Sequence, residues 1–313
     1  MIMPDINKKF NDIAVLMGGE SEERDISLIS GNTVMDALKK RGYNATACVI
    51  DSDDEVILGE KISELKPEAV FVAMHGGAGE DGRIQNILEK LRVPYTGSGP
   101  KASLNAMNKL KSKEIFINNG ILTADYIVVD RSDHELLLNF DNFPCVVKPV
   151  SQGSSVGLSI IKLKSELSNA VKEALKHDIQ VMIANYISGK EVTVGILNNE
   201  PLPVLEIIPH RNFYDFQAKY DDELTKYIVP AELDDDLSRK TQVMAKRAHE
   251  ALGCDYFSRV DLRISTDGKP YVLEVNTIPG LTSHSLLPKA ALEAGYDFYD
   301  LCEKILNSAG IMK

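Results

Sequence analysis

The sequence predicts an α/β fold in which an open parallel α/β domain is followed by two α+β domains. The first part of the chain alternates apolar runs with amphipathic helical patterns, as parallel sheets with crossover helices do. Beyond it, short strands enclose short helices, which is typical of α+β units. An Asp-Gly turn at 267–268 joins two strand-like runs and predicts a β-hairpin. We place the three domains at residues 1–104, 105–188 and 189–313.

Four strands are predicted in the first domain, at Ile13–Met17, Thr46–Ile50, Ala69–Met74 and Val93–Thr96. Helices are predicted before Gly42 and over 84–91, because apolar residues recur there at helical spacing. Open parallel sheets bind ligands at the carboxyl ends of their strands. We therefore expect a ligand near Gly18-Gly19 and near His75-Gly76-Gly77, which follow two of these strands.

A helical stretch at 101–119 spans the boundary between the first two domains. The elements predicted after it in the second domain are strands near 125–129, 144–148, 156–162 and 180–186 and helices around 133–139 and 165–177. The third domain is predicted to hold strands at 191–197 and 202–208, a helix at 234–252, hairpin strands at 257–265 and 270–277, and two closing helices. Between them, a polar stretch rich in aromatic residues runs from 210 to 230. It predicts a lid over a site, with a self-packed surface loop as the alternative.

Polar residues share one face of the predicted hairpin. Arg259 and Asp261 lie two residues apart on the first strand, as Glu274 and Asn276 do on the second. Mg²⁺ is commonly bound by such carboxylate and amide oxygens together with substrate phosphates. An Arg beside these ligands would face the oxygens of the transferred phosphoryl group. The alternative is a solvated face of ordinary charge pairs.

A strand that ends at Lys148 runs into a loop of glycines and serines, Gly153-Ser-Ser-Val-Gly157. Small residues and open backbone N–H groups bind phosphates, and the lysine adds a point charge. The loop is not a Walker A motif, because no Gly-Lys-Ser/Thr sequence opens a helix there. We expect a phosphate loop, and a plain hairpin turn is the alternative.

Two further segments carry weaker patterns. A carboxylate in Glu20–Ser27, at the start of the first helix, could orient a substrate ammonium group, whereas simple helix capping by Ser21 or Ser27 is the alternative. Gly97–Ala102 matches a dinucleotide fingerprint, which would indicate a nicotinamide oxidoreductase. The acidic residue that this fold requires does not follow, so we interpret the segment as the exit from the first domain.

The composition indicates a soluble enzyme with small-molecule substrates. A net charge of −11 argues against a protein that binds nucleic acid or an anionic membrane. Four scattered cysteines without a Cys-x-x-Cys pair argue against structural zinc and a disulfide framework. The sequence also has no run of transmembrane length and no apolar signal region. We expect a cytoplasmic protein.

Ordered motifs along nearly the whole chain resemble the D-alanine–D-alanine ligase family of the ATP-grasp superfamily. The motifs are Glu23-Arg24, His75-Gly-Gly-Ala-Gly-Glu-Asp-Gly82, Pro94-Tyr-Thr-Gly-Ser-Gly99, Lys148-Pro149, Gly153-Ser-Ser-Val-Gly157, Ala218-Lys-Tyr220 and Glu274-x-Asn-Thr-x-Pro-Gly-Leu-Thr-Ser-His-Ser285. The resemblance implies an ATP-grasp fold whose two α+β domains clamp ATP. It also implies that ATP phosphorylates one D-alanine, and that the amine of a second attacks this acyl phosphate to make a peptidoglycan precursor.

By resemblance, Asp261, Glu274 and Asn276 hold two Mg²⁺ ions, for which Mn²⁺ is an acceptable substitute. The resemblance assigns the ATP phosphates to Lys109, Lys148 and Ser155, and the base and ribose to Tyr186 and Glu191. The adenine linker departs from the family, where it commonly reads Glu-Lys-aromatic, because here it is Ala184-Asn185-Tyr186. Ala184 cannot accept a hydrogen bond from the adenine amino group, so adenine discrimination is weaker or depends on backbone groups.

The resemblance also assigns residues to the two amino acid substrates. Glu23 would hold the ammonium group of the first D-alanine, with His75 beside it. Arg259 and the N–H of Gly280 would form the oxyanion site for the tetrahedral intermediate.

The second substrate would lie at a helix N-terminus, where Ser285 and Leu286 place its carboxylate. By resemblance, Ser154 and Tyr220 form a hydrogen-bonded triad with Glu23 that ties the lid over the site. Lys219, beside Tyr220, is assigned to substrate binding in the same way. The resemblance further implies a homodimer. Two alternatives stay open: a ligase whose second substrate is D-lactate or D-serine, and a catalytically silent nucleotide-binding protein on the same fold.

Overall fold

The computed structural model describes residues 8–131, 137, 139–209, 225–282 and 284–310. Lys219 and Tyr220 lie outside the described residues, as do most of the predicted lid and of the helix predicted at 133–139. Within the described part of the chain, no helix combines the length and apolar character needed to cross a membrane.

A parallel sheet forms the first unit, as predicted, but with three strands rather than four. Its strands are β1 (Asp12–Gly18), β2 (Asn44–Ile50) and β3 (Ala69–Val72), in the order β2-β1-β3. The accompanying helices are α1 (Arg24–Lys40), α2 (Glu55–Leu65), α3 (Gly77–Glu80) and α4 (Arg83–Leu91). Two further helices, α5 (Pro100–Met107) and α6 (Lys109–Asn118), follow and bury Ala106 and Phe116 in the core of the C-terminal sheet. Both ligand-binding segments predicted from the sequence follow carboxyl ends of this sheet.

The prediction of a strand at Val93–Thr96 is wrong. Tyr95 forms only isolated bridges, a parallel one to Val70 and an antiparallel one to Gly310. Pro94 has no N–H, so it contributes only its carbonyl, which accepts from the amide of Val70 at 2.8 Å. The sheet therefore ends at β3, and the segment beyond it is joined to β3 only by isolated hydrogen bonds, such as the one from the Thr96 amide to the Val70 carbonyl at 3.1 Å.

Helix α2 has no counterpart among the predicted elements. Asp54 caps its first turn, because its carboxylate accepts hydrogen bonds from the amides of Val56 at 2.9 Å and Ile57 at 3.1 Å. Only Leu58 and Ile62 are buried in it, one helical turn apart. This sparse apolar pattern explains why periodicity alone did not reveal the helix.

The central unit is a four-stranded antiparallel sheet with one helix against it. The strands are β4 (Tyr126–Val129), β5 (Cys145–Pro149), β6 (Ser159–Ile161) and β7 (Val181–Asn185), in the order β4-β7-β5-β6, and the helix is α7 (Lys164–Ala174). All four strands were predicted, with ends that differ by a few residues.

The C-terminal unit contains a second antiparallel sheet. Its strands are β8 (Gly189–Leu197), β9 (Glu200–Pro201), β10 (Leu205–Ile208), β11 (Lys226–Ile228), β12 (Phe257–Ser265) and β13 (Pro270–Asn276), in the order β11-β10-β8-β12-β13 with β9 paired to β8. Its helices are α8 (Asp235–Ala251), α9 (Leu286–Glu293) and α10 (Phe298–Asn307). Leu301 and Ile305 of α10 share a core with Val15 and Phe71 of the first sheet, so the C-terminal helices pack on the N-terminal unit. The domain boundaries stay a prediction.

The predicted hairpin forms between β12 and β13. Asp261 lies directly opposite Glu274, and Arg259 opposite Asn276, so these polar residues meet on one face. An irregularity in the register follows Asp261 and leaves Leu273 as an extra residue on β13. Leu273 lines the cleft described below.

Candidate active site

Two adjoining pockets lie between the three units. The first pocket is lined by predicted site residues from all of them: Glu23, His75, Ser154, Arg259, Asn276, Gly280, Ser285 and Leu286. The second pocket is lined by Lys148, Ser155, Tyr186, Glu191 and Asp261. Lys109 and Glu274 border both pockets. The fold thus brings every predicted site residue that the structure describes to one continuous cleft.

A contact between distant segments closes the first pocket. Ser154, in the loop after β5, donates a hydrogen bond from its hydroxyl to the Glu23 carboxylate at the start of α1. Ser154 and Ser155 both have positive φ angles, of 48° and 61°, a conformation that glycine-rich turns favour. The loop therefore turns its hydroxyl toward the first unit, as the predicted Glu23–Ser154 pair requires.

Neither Ser21 nor Ser27 is the N-cap residue of α1, which is Glu23, although the Ser21 hydroxyl accepts from the Glu23 amide at 3.3 Å. The Ser21 hydroxyl donates to the carbonyl of His75 at 2.7 Å. The Ser27 hydroxyl accepts from the Gly18 amide and donates to the Ala73 carbonyl, both at 2.9 Å. These serines tie the ends of β1 and β3 together instead, which positions the loops that line the pocket.

His75 is buried and held at both ring nitrogens. Nδ1 lies 3.1 Å from the carbonyl oxygen of Ile278, and Nε2 lies 2.9 Å from the Ser30 hydroxyl. Because a carbonyl oxygen can only accept, Nδ1 donates to Ile278, and in the neutral ring Nε2 accepts from Ser30. The ring is thereby fixed in one orientation beside the first pocket.

Glu80, which sequence reasoning did not single out, also lines the first pocket. Its Oε1 lies 3.8 Å from Nδ1 of His75. Burial raises the pKa of this carboxyl group, and the nearby negative charge of Glu23 raises it further. The sequence feature that could have identified Glu80 is its place in the glycine-rich segment after β3, close to His75-Gly76-Gly77, where a ligand was already expected.

Arg259 and Asp261 form a two-pronged ion pair on β12. Nε and Nη2 of Arg259 donate to the two carboxylate oxygens of Asp261, each at 2.8 Å. The Thr193 hydroxyl adds a third bond to Asp261 at 2.6 Å. Asp261 is therefore oriented by its neighbours toward the second pocket, and Arg259 toward the first.

The donor set around the hairpin fits Mg²⁺. Asp261 and Glu274 lie directly opposite each other, and the Asn276 amide oxygen accepts from the Ile278 amide at 2.8 Å, which fixes its orientation. All three offer hard oxygen atoms, which Mg²⁺ prefers. The described residues contain no cluster of three or more His, Cys, Asp or Glu side chains, so a metal here would also need phosphate or water oxygens.

Three buried lysines surround the second pocket. Lys109 and Lys148 were predicted, and Lys109 donates to the Gln152 carbonyl and lies 3.9 Å from Glu274. Lys113, which was not predicted, donates to the Thr123 hydroxyl at 2.7 Å and to the Ala124 carbonyl at 2.6 Å. Burial lowers its pKa to about 7, with help from the charge of Lys148. A polyanion entering the pocket would meet this cationic side.

The far end of the second pocket is mostly apolar. Ala184 and Ile187 line it beside Tyr186, and Leu273 faces them from the hairpin. Arg263 also lies here, two residues beyond Asp261 on the same strand and therefore on the same face. That spacing was the signal that sequence reasoning missed.

Gly280 and Ser285 lie at the other end of the first pocket. A Cβ atom on Gly280 would lie 2.7 Å from the Ser285 hydroxyl oxygen, so a side chain does not fit there without movement. Ser285 precedes α9, and its hydroxyl accepts from the Thr282 amide at 2.9 Å. The predicted anion site at this helix N-terminus is therefore built from a tight turn.

Family models match both halves of the chain. The model described as "D-ala D-ala ligase N-terminus" matches residues 12–68 and 54–98, and "D-ala D-ala ligase C-terminus" matches residues 115–307. The chain belongs to the D-alanine–D-alanine ligase family. This confirms the resemblance found in the sequence.

Relatives match along their full length. A protein named D-alanine--D-alanine ligase from Geotalea uraniireducens is 45% identical over 305 residues, which are 97% of each chain. One of the same name from Trichlorobacter lovleyi is 46% identical over 302 residues, covering 96% of this chain and 95% of the relative.

Solved structures show the same architecture. D-alanine--D-alanine ligase from Bacillus anthracis, complexed with ATP, superposes with a TM-score of 0.82 at 35% identity, covering 96% of this chain and 97% of that one. The VanG D-Ala:D-Ser ligase from Enterococcus faecalis gives a TM-score of 0.81 at 26% identity, covering 96% and 99%. The predicted fold class is confirmed.

Proposed function

We propose that this chain uses ATP to ligate two molecules of D-alanine into D-alanyl-D-alanine, for peptidoglycan precursor synthesis. The observation that carries the proposal is the cleft itself, where a charged first pocket and a cation-rich second pocket meet at Lys109 and Glu274. Family membership supplies the reaction, and full-length relatives named for it support the assignment.

In the first step, an oxygen of the first D-alanine carboxylate attacks the γ-phosphorus of ATP, and ADP leaves. Lys109, Lys148 and the N–H groups around Ser155 hold the phosphates in line for transfer. Glu23 holds the substrate ammonium group, and the hydrogen bond from Ser154 fixes the Glu23 carboxylate in place. His75 borders the same pocket. Positioning and charge neutralisation are the main catalytic contributions that this step requires.

In the second step, the amine of the second D-alanine attacks the acyl carbon, and inorganic phosphate leaves. The negative charge on the tetrahedral intermediate would be stabilised by Arg259 and the N–H of Gly280. Ser285 and Leu286 would hold the carboxylate of the incoming substrate at the start of α9. The proton that the amine loses as the peptide bond forms leaves with the inorganic phosphate.

Two Mg²⁺ ions, or Mn²⁺ in their place, would be held by Asp261, Glu274 and Asn276 together with phosphate oxygens. Bound there, they would neutralise charge on the transferring phosphoryl group. We also propose that the protein is a cytoplasmic homodimer, as the family resemblance implies.

The second substrate is the least constrained part of the proposal, because a relative with the same fold is named a D-Ala:D-Ser ligase. By resemblance, Tyr220 faces this substrate and joins Glu23 and Ser154 when the lid closes. Tyr220→Phe removes only the hydroxyl, so we expect less dipeptide and a larger share of D-lactate ester, most clearly at lower pH, where amine nucleophiles are protonated. An unchanged ratio of ester to amide would contradict this role.

The test of the proposed function is phosphate release from ATP with D-alanine, L-alanine, D-serine or D-lactate supplied in turn, and products identified by mass spectrometry. We expect release to require D-alanine, ATP and Mg²⁺ together, and the product to be D-alanyl-D-alanine. Undiminished turnover in excess chelator, or turnover with L-alanine alone, would refute the proposal. Binding of ATP with no turnover of any substrate would favour the catalytically silent alternative.

A further inference from the structure

Arg263 makes three contacts to residues 186–191, which include the connection between the central and C-terminal sheets and the start of β8. Its Nη1 donates to the Glu191 carboxylate at 2.9 Å, and its Nη2 donates to the Gly189 carbonyl at 2.8 Å. Its guanidinium carbon lies 5.0 Å from the ring centroid of Tyr186, within range of a cation–π interaction. One side chain on β12 thereby holds both ends of residues 186–191.

The strand register makes this arrangement rigid. Arg263 and Glu191 lie directly opposite each other on β12 and β8, where opposite charges stabilise an antiparallel pair. The side chains of both are largely buried, with 14% and 19% of their surface exposed. Gly189 has a φ of 136°, and a Cβ atom there would lie 2.0 Å from the Ile264 carbonyl oxygen, so the backbone lies tightly against β12. The Glu191 carboxylate is therefore held in one place.

Electrostatics gives this ion pair a role beyond packing. ATP carries several negative charges, and a carboxylate in the same pocket would oppose its entry. The positive charge of Arg263 offsets that of Glu191, while the carboxylate keeps its capacity as a hydrogen-bond acceptor. In addition, Nε of Arg263 is buried without an acceptor among the described residues, which is costly unless a bound group supplies one.

We propose that Arg263 is a positioning residue that sets the ribose selectivity of the nucleotide site, by fixing Glu191 against the ribose hydroxyls and Tyr186 beside the base. This inference rests on the proposed function, because it takes ATP as the phosphoryl donor and Glu191 as the ribose ligand. The adenine linker has Ala184 and Asn185 where the family commonly has charged residues. The positive charge that contacts the linker is that of Arg263, on β12 of the C-terminal sheet.

The test is nucleotide binding, measured by calorimetry with Mg²⁺ present and D-alanine absent, so that no turnover occurs. Wild type, Arg263→Met, Arg263→Lys and Glu191→Gln are each titrated with ATP, 2′-deoxy-ATP and 3′-deoxy-ATP. We expect wild type to prefer ATP over at least one deoxy analogue by about tenfold, as for a hydrogen bond to a charged group. Arg263→Met and Glu191→Gln should both lose this preference. The variant that combines Arg263→Met with Glu191→Gln, titrated in the same way, should lose no more than either single variant.

Arg263→Lys should keep only part of the preference, because an ammonium group lacks the planar fork that reaches Glu191 and Gly189 together. Lys190→Met is the matched control. Lys190 is the neighbour of Glu191 on β8 and pairs with Glu206 at 2.7 Å, so its loss also removes an ion pair from this sheet. It should lower the melting temperature while leaving the ratio of ATP to deoxy-ATP affinity unchanged.

The outcomes distinguish failure of the inference about Arg263 from failure of the proposed function. If wild type binds ATP and ligates D-alanine but Arg263→Met keeps the wild-type preference, the inference about Arg263 is wrong and the proposed function stands. If Lys190→Met abolishes the preference equally, the effect belongs to sheet stability and the inference is also wrong. If wild type binds none of the three nucleotides, both the proposed function and the inference fail.

Discussion

The two pockets of the cleft are built differently. The first pocket presents charged and polar groups that neighbouring hydrogen bonds orient, such as Glu23, His75 and Arg259. The far end of the second pocket presents apolar surface from Ala184 and Leu273. Charge chemistry needs particular residue types at particular spacings, whereas a flat base can be held by many apolar side chains. The first kind of site therefore leaves a motif in the sequence and the second does not.

Both pockets nevertheless hold a buried ionisable group whose pKa is shifted toward the neutral form. Burial raises the pKa of Glu80 beside the first pocket and lowers that of Lys113 beside the second to about 7. The two pockets thus differ in chemistry but share a low-dielectric environment, in which interactions with a charged substrate are strengthened.

The largest effect is expected where the pockets meet. Glu274→Gln keeps the shape of the side chain and removes its charge, so we expect kcat to fall by about a thousandfold, equivalent to about 4 kcal/mol. Steady-state rates and circular dichroism on the same preparation check this. Glu173→Gln, on the surface of α7, is the matched control and should be neutral. A rate within a few-fold of wild type would remove Glu274 from the proposed metal ligands.

Lys113 tests the second pocket through pH. Its folded-state pKa, about 7, lies below the unfolded value of 10.5, so the folded protein binds fewer protons between these values. Stability should therefore rise with pH across this window, because the cost of burying the charged form is present below pH 7 and is relieved above it. We expect about 2 kcal/mol of this gain between pH 7 and 9.

In Lys113→Met this pH-dependent gain should be absent from the free energy of unfolding, measured with denaturant at both pH values. Lys111→Met, an exposed position on the same helix, is the control and should keep the wild-type dependence. If the two variants respond alike to pH, Lys113 is not the group responsible.

Ser154→Ala tests how much the first pocket depends on its oriented carboxylate. Loss of the hydrogen bond to Glu23 should lower kcat/KM for D-alanine about tenfold, a typical value for a bond to a charged group. ATP affinity, measured without D-alanine, should change little because Ser154 does not line the second pocket. Ser63→Ala, which removes a hydroxyl bonded only within α2, serves as the control. Equal losses of D-alanine and ATP binding would point instead to collapse of the loop.

Ala184→Glu is expected to have the smallest effect. A carboxylate here would accept from the adenine amino group, so KM for ATP should fall a few-fold and the preference for ATP over GTP should rise. kcat should stay the same, because the contact is equal in the ground and transition states. Ala184→Met adds volume without an acceptor and is the control. If neither quantity improves, another group already satisfies the amino group.

Local sequence patterns predicted the alternation of elements and the polar face of the hairpin, and the family motifs identified most residues of the first pocket, though not Glu80. These depend on local rules: strand periodicity places Arg259 with Asp261, the Asp-Gly turn sets the hairpin, and the glycine-serine loop identifies the region of Ser154. The family motifs contain the same residues. Each of these signals lies within a few residues of chain, so no knowledge of the fold was needed to recognise them.

Which distant groups meet, and which of their charges are buried, depends on the packing of the folded chain. The irregular register after Asp261 turns Leu273 into the cleft, and the pairing of β12 with β8 sets Arg263 against Glu191. The pKa of Lys113 depends on burial between segments far apart in the chain. Strand register and burial result from packing across the whole molecule, since each strand's partner is set by the entire sheet. For that reason the chemistry of the first pocket can be predicted from the sequence, while the selectivity of the second depends on contacts that exist only in the folded chain.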